Sequence, residues 1–112
     1  MNNKLEPNMY VRTNGGNISK IENFKSSIYN DFIETPYKEL INKKDIKKAS
    51  HNIIDLIEVG DYVNGHEVKS KQSGVKRIDI GEDENYVWLY ENDIKSIVTK
   101  EQFENMEYRI GE

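Results

Sequence analysis

Apolar and β-branched positions alternate with polar ones from Asn8 to Thr13 and again from Asn17 to Ile21, on either side of Asn14-Gly15-Gly16. Asn-Gly tolerates the positive φ of a tight turn, so the chain is expected to open on a β-hairpin. From Glu22 to Ser50 the pattern changes. Phe24, Ile28 and Phe32 recur every fourth residue, which suits one face of a helix, and Thr35-Pro36 would end it, because the residue before proline is pushed to extended geometry. Tyr37, Leu40 and Ile41 read as a further short amphipathic turn, and Lys43 to Lys48 as either a solvated basic connector or an exposed helical face. Residues 22–50 are therefore expected as a helical or flexible insertion in a single domain spanning residues 1–112.

The second half is more regular. Ile53 to Ile57 is an apolar run too short for its period to separate strand from helix. Val59 to Val63, the Asn64-Gly65 turn and His66 to Val68 spell a second hairpin. Val75, Arg77 and Asp79 alternate with Lys76, Ile78 and Ile80; Gly81 to Asn85 turns the chain into Tyr86-Val87-Trp88-Leu89-Tyr90. A further strand is expected over Ile94 to Val98. Thr99 followed by Gln102 is a capping-box pattern that opens a short helix through Met106, and Glu107 to Ile110 returns as the last strand. Short strands separated by turn residues favour a mainly β (α+β) fold, a small antiparallel barrel or sandwich with one or two short helices. No internal repeat or low-complexity tract stands out.

Length and composition narrow the class. With 112 residues, 36% hydrophobic, the chain has room for one modest core. The absence of Cys excludes disulfides, thiolate metal sites and a cysteine nucleophile, and two His leave little for zinc. No apolar run approaches the roughly 18 residues of a membrane span. A cytoplasmic protein with no membrane partner is expected. Charge is uneven: residues 1–48 hold nine basic and six acidic residues, residues 49–112 seven and fourteen, giving +3 and -7. A duplex-DNA binder is usually net basic, so nucleic acid is disfavoured as a general partner. The basic side chains gather at Lys43, Lys44, Lys47 and Lys48, the one candidate nucleic-acid patch. The acidic ones gather at Asp79, Glu82, Asp83, Glu84, Glu91 and Asp93, with no Lys or Arg between Ile78 and Ile94. Such a stripe is either a solvated loop or an attractor for a basic protein surface.

Candidate chemistry is sparse. Asp79, Asp83 and Asn85 around Gly81 are hard oxygen donors, but they lack the spacing and terminal Glu of a calcium loop, and carboxylates are common in turns. His51 and His66 lie in no acid–base motif, no Gly-x-Ser-x-Gly elbow occurs, and Gly15-Gly16 is not followed by the Lys-Ser or Lys-Thr of a phosphate loop. Neither an enzyme, a cofactor nor a metal is expected. Tyr86, Trp88 and Tyr90 share one face of a strand whose other face is Val87 and Leu89. Either the rings are core, the usual place for large aromatics in a small domain, or the aliphatic face is buried and the rings form an external platform.

Gly60-Asp61 at a bend, Tyr62-Val63, the Asn64-Gly65 turn and a return strand, with a short helix before the last strand, resemble small barrels of the Src-homology-3 type. Separately, NIIDLIEVGDYVNGHEV (Asn52 to Val68), DIKSIVTKEQFENMEYRI (Asp93 to Ile110) and MYVRTNGGNISKI (Met9 to Ile21) resemble short uncharacterised proteins of prophages and mobile elements in low-GC Gram-positive bacteria. That resemblance implies a phage origin and carries no catalytic residues. It suggests a non-catalytic inhibitor of a host protein, concretely an anti-CRISPR-type protein that blocks an RNA-guided nuclease in the bacterial cytoplasm. The partner-binding candidates are then Asp79, Glu82, Asp83, Glu84, Tyr86, Trp88, Tyr90, Glu91 and Asp93. The alternatives are a small nucleic-acid-binding barrel using Lys43, Lys44, Lys47 and Lys48, and a structural or regulatory phage component that forms a homodimer through a sheet edge such as the first hairpin.

Overall fold

The first hairpin forms where the alternation places it. Strands β1 (Tyr10–Thr13) and β2 (Ile18–Lys20) pair antiparallel, with Arg12 opposite Ile18. Gly16 N–H donates to the Thr13 carbonyl at 3.0 Å, and the positive φ of the turn falls on Gly16 instead of on Asn14-Gly15. The structure is a computed structural model that describes residues 4–82 and 85–106. Its residues cluster into two units divided between Leu56 and Ile57.

In unit 1 the region expected as a helical or flexible insertion is a meander of β3 (Asn23–Ser26), β4 (Asp31–Glu34) and β5 (Leu40–Asn42). The fourfold spacing of Phe24, Ile28 and Phe32 is that of strand, turn and strand. Ile33 sits opposite both Phe24 and Ile41, making a period-two apolar face, while Ile28 falls in a turn closed by Ser27 N–H to the Asn30 carbonyl at 2.8 Å. The face wins over the helix because it buries Ile33 and Ile41, each worth about 1.5–3 kcal/mol. Lys43 to Lys48 is neither connector nor helix face. Lys43–Asp45 is one 3-10 turn whose Lys44 N–H donates to Asn42 Oδ1, and β6 (Ile46–Ser50) returns to the free edge of β1, giving the order β2-β1-β6. Val11, Ile21, Ile33 and Ile41 form the core, with Leu5, Met9, Ile46 and Ala49 packed on it. The apolar run at Ile53–Leu56 resolves as a 3-10 helix, and the fully buried Arg12 donates Nη1 to the Leu56 carbonyl at 2.9 Å.

In unit 2, β7 (Tyr62–Val63) and β8 (His66–Glu67) flank Asn64 (φ 52°) and Gly65 (φ 83°). Two successive left-handed residues are the demand of a type I′ turn, which Asn-Gly meets at least cost. The meander β9 (Ser70–Gln72), β10 (Arg77–Asp79) and β11 (Trp88–Tyr90) follows, and β12 (Ile97–Val98) returns to β7. Helix α1 (Lys100–Met106) starts on the predicted capping box: Thr99 N–H donates to Gln102 Oε1 at 3.1 Å and Gln102 N–H to Thr99 Oγ1 at 3.2 Å. Phe103 stacks on Tyr62 with centroids 4.5 Å apart, fixing the helix to β7. The strand expected over Glu107 to Ile110 lies outside the described residues.

The fold is thus mostly β. Among the described residues twelve short strands make four three-stranded antiparallel sheets, and these do not close into a barrel of the Src-homology-3 kind. No helix among them is long and apolar enough to cross a membrane.

The two units repeat one topology, a relation the sequence did not display. Each has a hairpin, then a three-stranded meander, then a strand that returns to the first one: β2-β1-β6 with β3-β4-β5, and β8-β7-β12 with β9-β10-β11. The register agrees in detail. Val11 faces Ala49 as Val63 faces Ile97, and Ile33 faces Ile41 as Ile78 faces Leu89. Met9 N–H donates to Glu6 and Asp61 N–H to Glu58, next to left-handed residues Asn8 (φ 71°) and Gly60 (φ 98°). Val11, Ile21 and Ile33 correspond to Val63, Val68 and Ile78, all with no exposed surface. The units share little sequence beyond Tyr10-Val11 with Tyr62-Val63 and Asp45-Ile46-Lys47 with Asp93-Ile94-Lys95.

Candidate functional site

The candidate site lies on the β9-β10-β11 sheet, and its register decides the question left open for the aromatic strand. Ile78 pairs with Leu89, and Ile78 is fully buried, so the aliphatic face is the core face. Arg77 pairs with Tyr90 and Asp79 with Trp88 on the opposite face. The rings are therefore external: Tyr86 is 67% exposed, Tyr90 is exposed and Trp88 half-buried.

Neighbouring groups hold the rings in order. Tyr86 and Trp88 stack almost parallel, with centroids 5.8 Å apart and planes inclined by 3°. The Arg77 guanidinium lies 4.1 Å from the Trp88 ring, and its Nε donates to Gln72 Oε1 at 2.8 Å. Register puts Tyr86 and Arg77 on opposite sides of Trp88 along the strand, so the indole is held between a ring and a cation; the cation–π contact is worth about 0.5–2 kcal/mol. Arg77 was not picked out from the sequence, although its alternation with Ile78 placed it on the ring face.

The acidic candidates divide. Asp79 is on the ring face by register but only 4% exposed, its Oδ1 accepting from Gly81 N–H at 3.0 Å and Val87 N–H at 2.8 Å. It closes the loop that presents Tyr86 and takes no place on the surface. Gly81 has to be glycine, since a Cβ there would collide with the Asn85 carbonyl. Glu82 is exposed and Glu91 half-buried, while the exposed Asp93 accepts from Tyr90 N–H at 3.0 Å and so shapes the turn after β11. Asp83 and Glu84 lie outside the described residues, and the calcium arrangement of Asp79, Asp83 and Asn85 with them. Among the described residues no three of His, Cys, Asp or Glu come together as a metal site. Unit 2, residues 57–112, holds seven basic and thirteen acidic residues, a net of -6; unit 1 holds nine and seven, a net of +2. The ring platform thus belongs to the acidic unit.

The lysine candidates of unit 1 do not form one patch. Lys43 and Lys44 sit on the 3-10 turn, Lys43 over the Phe24 ring at 5.1 Å. Lys47 and Lys48 lie on β6, where alternation sends them to opposite faces, Lys47 exposed and Lys48 half-buried. His51 Nε2 is 2.8 Å from Glu6 Oε1, and His66 is exposed on β8. No family model, no curated protein and no solved structure matches the chain.

Proposed function

We propose that this protein acts by binding another protein, through the platform of Tyr86, Trp88 and Tyr90 with Arg77, rimmed by Glu82, Glu91 and Asp93. The observation that carries the reading is the orientation of β11, with Leu89 on the face of the buried Ile78 and Trp88 and Tyr90 on the other. Exposed aromatics held rigid cost little further entropy on docking, and they are the residues on which interface energy concentrates. The net charge of -6 on the same unit selects a basic partner surface and repels a phosphate backbone. The resemblance of Met9 to Ile21, Asn52 to Val68 and Asp93 to Ile110 to prophage proteins points to the partner class: a host defence nuclease, an RNA-guided one in the anti-CRISPR case, inhibited by occlusion without catalysis.

The experiment is a pull-down with the tagged chain from a bacterial lysate, washed at low and high salt, with bound protein and nucleic acid both identified. One basic nuclease is expected at low salt, and Tyr86→Ala and Glu82→Lys should each release it without changing the melting temperature of the free protein. Recovery that ignores salt and both substitutions would refute the reading.

A further inference from the structure

Two features of unit 1 remain once its fold is accounted for. At the β3–β4 turn Ile28 is 91% and Tyr29 85% exposed. The matching turn of unit 2, Ser73 to Lys76, carries one exposed large apolar residue, Val75, beside Gly74 and Lys76, so the topology does not call for two there. Beside this tip lies an open cleft of about 310 Å³, whose lining includes Ile28 and Tyr29 of the tip together with Asn30, Asp31, Asn42, Lys43 and Lys44. Asn42 ties its two walls together: Oδ1 accepts from Lys44 N–H at 3.0 Å and Nδ2 donates to Asn30 Oδ1 at 3.3 Å.

A cleft of this size fits one small planar ligand. Tyr29 offers a ring to stack on, Lys43 and Lys44 offer charge for a phosphate, and the two asparagines offer amides to a polar ring edge. Stacking beside cationic groups is how single-stranded nucleic acid is held without sequence preference. A lipid chain in the same place would leave the amides unmatched. We propose that this cleft binds one nucleotide of a single-stranded nucleic acid, its base against Tyr29 and its phosphate at Lys43 and Lys44. The site lies in the unit of net +2 and is independent of the ring platform. Asp31, in the same wall, opposes the phosphate and limits the site to weak, local binding.

The test is fluorescence anisotropy of a labelled eight-nucleotide oligothymidylate at low salt, with folding of each variant checked by circular dichroism. Tyr29→Ala should weaken binding about tenfold or more, the loss of one base–ring stack. Lys43→Glu with Lys44→Glu should remove the phosphate contact and flatten the logarithmic salt slope by about 0.7. Asp31→Asn should tighten binding several-fold, a gain that no folding defect imitates, and Trp88→Ala should leave it unchanged. Absence of binding by the wild-type chain, or binding indifferent to Tyr29 and Asp31, overturns the proposal. So does Tyr29-dependent binding to phosphatidylserine vesicles without oligonucleotide binding, which would make the tip a membrane contact, or a dimer abolished by Ile28→Ser, which would make it a self-association surface.

Discussion

Replacing Asp79 by alanine separates its two readings, surface contact and internal brace. Its Oδ1 accepts from the N–H groups of Gly81 and Val87 at 3.0 and 2.8 Å, and the residue is 4% exposed. A hydrogen bond to an ionised carboxylate contributes about 1.5–3 kcal/mol, and a buried donor left without an acceptor costs about as much. Gly81 is buried, so its N–H bears the full loss; Val87 is 47% exposed, so water takes over part of its share. Asp79→Ala should therefore destabilise by about 2–4 kcal/mol, a large part of the roughly 5–15 kcal/mol that holds a domain together. Asp79→Asn keeps an acceptor oxygen without the charge and should cost about 1 kcal/mol. Urea unfolding followed by far-ultraviolet circular dichroism gives the global value. Trp88, the only tryptophan in the chain, reports the loop itself, and its emission should change as the Tyr86 stack loosens. A loss below about 0.5 kcal/mol with unchanged emission would refute the brace and return Asp79 to the surface candidates.

Gly81→Ala strikes the same loop sterically, because the added carbon meets the backbone of Asn85 and Val87; a cost of about 1–3 kcal/mol or more is expected in the same urea assay, with no rescue by ligand. Asn64→Ala removes the donation from Nδ2 to the Asp93 carbonyl and the two bonds Oδ1 accepts from Lys95 and Ser96 N–H, besides placing alanine at φ 52°. A loss of about 2–3 kcal/mol is expected in thermal melts, and Asn64→Gly, which relieves only the backbone term of about 1–2 kcal/mol, should recover part of it. The hydrogen bond from Lys100 to Glu58, at 2.9 Å, together with carboxylate charge nearby, raises the Lys100 pKa above its ordinary 10.5 against a smaller opposing effect of burial. With the folded value above the unfolded one, the pair's contribution is complete below pH 10.5 and lost as pH rises through the folded pKa. The Lys100 side chain is 42% exposed and that of Glu58 only 14%, so Lys100→Met should cost about 1 kcal/mol at pH 7 and less well above that range, as read by denaturation at the two pH values.

Local signals in the sequence carried well where they were made of short-range chemistry. Asn64-Gly65 and the Thr99–Gln102 box each specify a geometry within four residues, and both formed as expected. Phe24, Ile28 and Phe32 misled because a two-residue turn between strands reproduces a spacing of four, and only the pairing of Phe24 and Ile41 with Ile33 across the sheet removes the ambiguity. Whether Tyr86, Trp88 and Tyr90 face in or out was not legible either, since both faces of the strand are apolar. The decision rests on Ile78, a partner distant in sequence. The exposed tip at Ile28 and Tyr29 was invisible for the same reason: apolar residues read as core until the turn is placed.

The repeated topology carries two unlike surfaces on one chain. The two units put Val11 and Val63, and Ile33 and Ile78, at equivalent positions with no exposed surface, while their outward positions differ. The two units have opposite net charge, +2 and -6, and carry their exposed aromatics in different places, at a turn tip in one and along a strand in the other. Because a single polypeptide carries both, any two ligands they recognise are presented in fixed one-to-one ratio, and capture by one half raises the local concentration felt by the other.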